Sequence, residues 1–193
     1  MKKESALTDK AISNAVKLLR KSKKVEQVSL TNISNQLSVP LEELHAYFSN
    51  VEDIFLKAQK KDWEKTHRIL DKKIRQSKTP GDFMGILDSF FEQMVTDLSQ
   101  DADLRYEMSM YLPACHKYRE KNKKRLEKKL KKVIQKGWPG KSTKVLERQS
   151  ALIILIFYGF LDHIVHIDKP DRKKILRDFS NMVSLHLQDR KFF

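Results

Sequence analysis

Apolar residues recur along the chain at helical spacing, and turn residues stand where the spacing breaks. Ala11, Ile12, Ala15, Val16 and Leu19 form the first stripe, with Thr8 or Asp9 placed to cap it. Leu30, Ile33 and Leu37 follow at i, i+3 and i+7, behind Ser29, whose hydroxyl can take a free backbone N–H. After a turn at Ser38 and Val39, Leu44 and Phe48 point inward at i and i+4. Two helices joined by so short a turn predict a helix-turn-helix over about residues 29–48, a motif whose second helix enters the DNA major groove.

The rest of the chain is longer helices. Asn50 or Ser49 caps one that runs to about Arg75, with Glu52 and Asp53 at the positive end of its dipole and Ile54, Ala58, Ile69 and Leu70 on its apolar face. Pro80-Gly81 is the strongest turn signal in the chain and divides it into residues 1–76 and 77–193. A helix from Phe83 to Leu98 is followed by a polar break at Ser99 to Asp103. A shorter helix with Leu104, Met108 and Tyr111 then ends at Pro113. The next, about Ala114 to Gly137, is strongly basic and keeps only Leu126, Leu130, Val133 and Ile134 as a buried stripe. Gly137 and Pro139 close it. A helix from about Thr143 to Ile167 is hydrophobic nearly all round, which predicts burial on two sides. A last helix places Ile175, Leu176, Phe179, Met182, Val183 and His186 on one face. Nine helices and no alternating strand pattern make an all-α protein: a three-helix headpiece and a bundle of about six.

Composition sharpens this in two ways. The net charge of +14 calls for a polyanionic partner or a large counterion load. That charge is unevenly spread. From Met1 to Ser49, eight bases against five acids leave +3; from Lys117 to Lys144, thirteen against two leave +11. The single cysteine, Cys115, cannot form an internal disulfide, so a reducing cytoplasm is the expected location. No signal peptide is evident, and the apolar run from Ala151 to Leu161 is well short of the ~20 residues of a membrane span.

The pattern Ile33-Ser34, Leu37, Val39, Leu44, Tyr47-Phe48, Glu52 and Ile54, with Ile12, Ala15 and Leu19 upstream, resembles the DNA-binding segment of TetR-family transcriptional regulators. The resemblance covers the first third of the chain; beyond it only the helical layout is shared. It implies a regulator that binds double-stranded operator DNA as a homodimer, commonly as a repressor, with a small-molecule effector site in residues 77–193. The DNA-facing positions it implies are Thr31, Pro40, Leu41, Glu42, His45, Ala46, Tyr47 and Val51. Several depart from the family pattern. Ser38 stands for the usual turn glycine and Pro40 for a serine cap. Leu41, Glu42 and Glu43 replace lysine or small residues, His45 replaces a tyrosine, and Val51 replaces a phosphate-facing lysine. Glu42 and Glu43 suit the helix dipole yet repel phosphate. The resemblance also implies that the two last helices pack on their copies in a four-helix dimer interface, for which Leu152, Leu155, Ile156, Phe179, Met182 and Val183 are the candidates.

Phe91, Met94, Met110, Tyr111, Trp138, Phe157, Tyr158 and His163 are candidates for the lining of an effector cavity, although aromatics at helical spacing more often build a core. The basic helix 117–136 is most simply a solvated face. The resemblance does not place it on operator DNA. An alternative reading makes it the working surface of a helical interaction module whose headpiece no longer reads sequence, bound to an acidic protein or a membrane surface. His163 and His166 stand at i, i+3, but without a third ligand they point to no metal site. No catalytic Ser/His/Asp spacing, phosphate-binding glycine loop or nucleotide fingerprint is present, so no cofactor is implied and an enzyme is not expected.

Overall fold

The computed structural model describes residues 2–188. Its helices are α1 (Lys2–Ser22), α2 (Leu30–Leu37), α3 (Leu41–His45), α4 (Val51–Gln76), α5 (Pro80–Tyr111), α6 (Pro113–Gly137), α7 (Thr143–Ile164) and α8 (Lys169–Gln188), with a 3-10 turn at Val25–Gln27. No strand occurs among the described residues, and the fold is all-α as the periodicity predicts.

Two expectations about helix boundaries are corrected. α1 begins at Lys2, before the Thr8 and Asp9 caps. The predicted break at Ser99 to Asp103 does not occur: α5 runs unbroken to Tyr111, so the described residues form eight α-helices and not nine. Ser99, Gln100 and the aspartates are polar, but none is glycine or proline, and a polar run alone does not end a helix. α5 ends only at Tyr111, because Pro113 has no N–H to continue the ladder and instead opens α6.

The caps follow the local chemistry. Ser29 accepts from Asn32 N at 3.1 Å, and Asn50 Oδ1 accepts from Asp53 N at 3.1 Å while Asp53 Oδ2 accepts from Ser49 N at 2.9 Å. A second reciprocal box opens α5, where Asp82 N donates to Thr79 Oγ1 and Thr79 N donates to Asp82 Oδ2. The N–H groups of Thr79 and Lys78 hold the Asp82 carboxyl below its ordinary range.

The chain forms two compact units, each discontinuous in sequence: Met1–Glu64 with Asp103–Glu120, and Lys65–Ala102 with Lys121–Phe193. In the first, the core joins Ala11, Ala15, Leu19, Ile33, Leu44, Phe48, Ile54 and Phe55 to Leu104, Met108, Leu112 and Cys115. The end of α5 and the start of α6 are therefore part of the headpiece core. The Pro80-Gly81 turn, read as the division at residues 76–77, lies inside the second unit. Burial pushes the Cys115 thiol up to about 12, with the nearby Glu52 adding to the effect.

In the second unit the core centres on Leu87, Leu126, Leu130, Ile134, Leu146, Ile153 and Phe157. His67 and Asn122 are both buried there, with His67 Nε2 2.6 Å from Asn122 Oδ1. No helix of the described residues is long and apolar enough to cross a membrane.

Candidate nucleic-acid interface

The helix-turn-helix forms where the pattern places it. Ile33 and Leu44 are fully buried and Phe48 nearly so, pinning α2 and α3 to the headpiece core. The turn between them is tight. Ser38 takes a left-handed conformation, φ 53° and ψ 43°, and its N–H donates to Asn35 O at 3.3 Å. That conformation costs a serine ~1 kcal/mol relative to glycine. Val39 N donates to Ser34 O at 3.2 Å, and the mostly buried Ser34 hydroxyl donates to Val39 O at 2.6 Å. Ser34 thus holds both ends of the turn, which accounts for a polar residue on an otherwise apolar face.

Pro40 is the N-cap residue of α3 and makes no side-chain cap bond. With five residues, α3 depends on its packing through Leu44 and on backbone bonds such as Glu43 N to Pro40 O at 3.1 Å. Thr31, Pro40, Glu42, His45 and Ala46 are exposed, while Leu41, Tyr47 and Val51 are half-buried and packed against the headpiece core. The outward surface is chemically mixed, with Glu42 and Glu43 near its start and His45 near its end.

Lys57 is a residue that sequence reasoning missed. It lies on α4, its ammonium donates to Tyr47 O at 2.9 Å, and it sits 4.4 Å from the centroid of the Phe48 ring. It is exposed and brings a cation to the end of α3, close to the turn where Val51 supplies none. Residues 47 and 57 are ten apart across the bend at Ser49 and Asn50, a separation that no helical i, i+3 or i, i+4 spacing announces.

The residues expected around an effector fall in both units. Met110 and Tyr111 belong to the first unit and are 53% and 56% exposed. Their neighbours Met108 and Leu112 take the buried positions instead. In the second unit Phe157 and Tyr158 are buried, in edge contact at 5.5 Å, and Phe157 lies 6.2 Å from Phe90. Trp138 is half-buried and His163 exposed, its ring 6.1 Å from that of His166. The side chains of Phe91 and Met94 lie outside the described residues. An open groove of about 380 Å³ between the end of α4 and the start of α5 is lined by Lys73, Ser77, Asp82, Ile86 and Ser89, none of them among the expected residues. No group of three or more metal-ligating side chains occurs among the described residues.

The candidate dimer residues divide in two. Leu152, Leu155, Ile156 and Met182 are exposed, Leu155 at 62%, and Leu185 joins them. Phe179 is only 7% exposed, stacked on Phe160 at 4.5 Å and 6.5 Å from Phe157, so it packs into its own core. The side chain of Val183 lies outside the described residues.

No protein-family model matches the chain, and no curated protein matches it in sequence. Solved structures do resemble it. A transcriptional regulator of the TetR/AcrR family from Thermobifida fusca superposes with a TM-score of 0.65 at 11% identity, covering 93% of this chain and 97% of that one. The fatty acid degradation regulator FadR from Bacillus halodurans gives 0.63 at 16% identity, with 93% of each chain covered. FadR from Bacillus subtilis, solved in complex with stearoyl-CoA, gives 0.62 at 19% identity over 92% of this chain and 96% of that one. The chain thus has the all-α fold of the TetR-type transcriptional regulators.

Proposed function

We propose that this protein is a homodimeric, cytoplasmic, DNA-binding regulator of transcription, acting as a repressor released by a small molecule bound in its C-terminal part. The observation that carries this reading is the helix-turn-helix itself, with the outward residues of α3 exposed on a packed headpiece. In the major groove His45 can donate to a guanine acceptor or a phosphate, Leu41 can contact a thymine methyl, and Glu42 can accept from a cytosine amino group. Thr31 and Lys57 supply phosphate contacts on either side of the groove. The exposed apolar residues of α7 and α8 support a C2 partner, since an isologous interface covers one apolar patch with its own copy.

Residues 1–76 carry DNA recognition in this reading, and residues 77–193 carry dimerisation and the effector site. An effector releases DNA only through differential affinity for the two headpiece spacings. The stearoyl-CoA bound by the Bacillus subtilis neighbour makes a long-chain acyl-CoA the first effector to test.

A footprint on the protein's own promoter region tests the reading. Two protected half-sites separated by about one DNA turn, roughly 34–36 Å, are expected. A folded dimer that protects no upstream sequence at low salt would sink it.

A further inference from the structure

We propose that the outer face of α6 in the second unit, carried by Lys121, Lys124, Lys128 and Lys132, binds the phosphate backbone of duplex DNA as a surface separate from the headpiece. The proposal does not depend on operator recognition by α3.

The cations of α6 sort into two groups. Some are engaged within the unit. Lys129 pairs with Asp71 and Lys131 with Glu147, while Lys123 lies over the Tyr158 ring at 5.5 Å and Lys136 over the Phe83 ring at 5.0 Å. Lys121, Lys124, Lys128 and Lys132 have no ion-pair or ring partner among the described residues, and all four are exposed. They fall at i, i+3, i+7 and i+11, one line along the helix spanning roughly 16 Å. Lys124 with Lys128, and Lys128 with Lys132, are like-charge i, i+4 pairs that weaken the helix carrying them. An ordinary solvated face mixes signs, as α4 does with Lys61, Asp62, Glu64 and Lys65.

The chemistry of the face selects its partner. Every exposed residue of α6 from Lys117 to Lys136 is polar, because the apolar stripe of Leu126, Leu130, Val133 and Ile134 is buried inside the unit. A membrane-surface helix needs an apolar face to insert, and none projects here. A protein interface needs apolar or aromatic anchors at its centre and is depleted in lysine. An even line of point charges suits an even line of phosphates, where the gain comes from released counterions and no anchor is required.

The test is a salt titration of the full-length protein on a random-sequence duplex. Replacing the four residues together (Lys121→Gln, Lys124→Gln, Lys128→Gln, Lys132→Gln) should flatten the slope of log affinity against log salt by about 3–4. Between about 50 and 200 mM salt, the wild type should therefore lose roughly a hundredfold more affinity than the variant. An unchanged slope overturns the proposal. Lys128→Glu alone, a milder change for folding, should weaken binding in the same direction, and no change there also overturns it. Polyglutamate and phosphatidylserine vesicles serve as competitors for the wild type. If either displaces the duplex at lower charge concentration than unlabelled duplex does, the partner is not nucleic acid. Lysine-dependent binding to random duplex without any promoter selectivity would leave this proposal standing and remove the regulator reading instead.

Discussion

Glu52 Oε1 accepts the backbone N–H of Ala114 at 2.5 Å, joining the first turn of α4 to the first turn of α6 within the headpiece unit. The bond answers a local need. Pro113 has no N–H, so Ala114 offers the first free donor of α6, and a partly buried carboxylate meets it. Glu107 makes a similar contact from the end of α5, accepting Val25 N at 3.1 Å. Glu52→Ala should lower the unfolding free energy by about 2 kcal/mol, the scale of a hydrogen bond to a charged group, with Glu52→Gln losing less. Urea denaturation reads this as a lower midpoint at unchanged slope. Equal midpoints for all three proteins would show that the bond contributes nothing.

Ser38 carries the one left-handed residue in the helix-turn-helix. Its φ and ψ suit glycine, so Ser38→Gly should raise stability by ~1 kcal/mol. For a chain of this length that is roughly 2–4 °C in Tm. A clear fall in Tm would mean that the serine hydroxyl makes a stabilising contact.

Asp71 lies against Lys129 in the second unit. Burial works against its charged form, but the hydrogen bond and charge of Lys129, with His67 and Arg125 nearby, hold its carboxyl below the usual 3.8. A carboxyl depressed in the folded state contributes stability above its unfolded pKa and loses it as pH falls through the folded value. Asp71→Asn should therefore melt below the wild type at neutral pH. The gap should close as pH drops below 3.8. A gap independent of pH would assign the effect to packing alone.

What was legible in the sequence is what local chemistry decides. Ser29 and Asn50 cap as their side chains predict, Leu44 and Phe48 turn inward as their spacing predicts, and a Ser38 in place of glycine already announces its strain. The rest depends on partners distant in sequence. Leu104, Met108 and Tyr111 read as a short helix ending at Pro113, but periodicity cannot say that Leu104 and Met108, with Leu112 and Cys115, complete the headpiece core. Phe179 and Met182 share a helical face, yet one packs against Phe160 and the other is exposed. Lys57 reaches Tyr47 O across ten residues and the bend at Ser49 and Asn50.

Leu155 is the most exposed of the expected dimer residues, among the apolar positions Leu152, Ile156 and Met182. Leu155→Lys should convert the dimer to monomers in sedimentation velocity with the helical circular dichroism intact. A lysine at a position already open to water costs the single chain little, so only a lost interface explains dissociation. A dimer that survives the substitution would place the interface elsewhere.

The central claim is that the helix-turn-helix of residues 29–48 reads DNA sequence. Its most direct test is a competition titration of the full-length dimer with a labelled fragment of its own promoter region, against unlabelled promoter and scrambled duplex at one fixed salt concentration. Sequence reading by α3 predicts that unlabelled promoter competes at least ~10³-fold more effectively than scrambled DNA. It also predicts that His45→Ala reduces that ratio by roughly tenfold or more, the scale of one lost base contact. Promoter and scrambled duplex competing equally, with the dimer folded and bound, would contradict it.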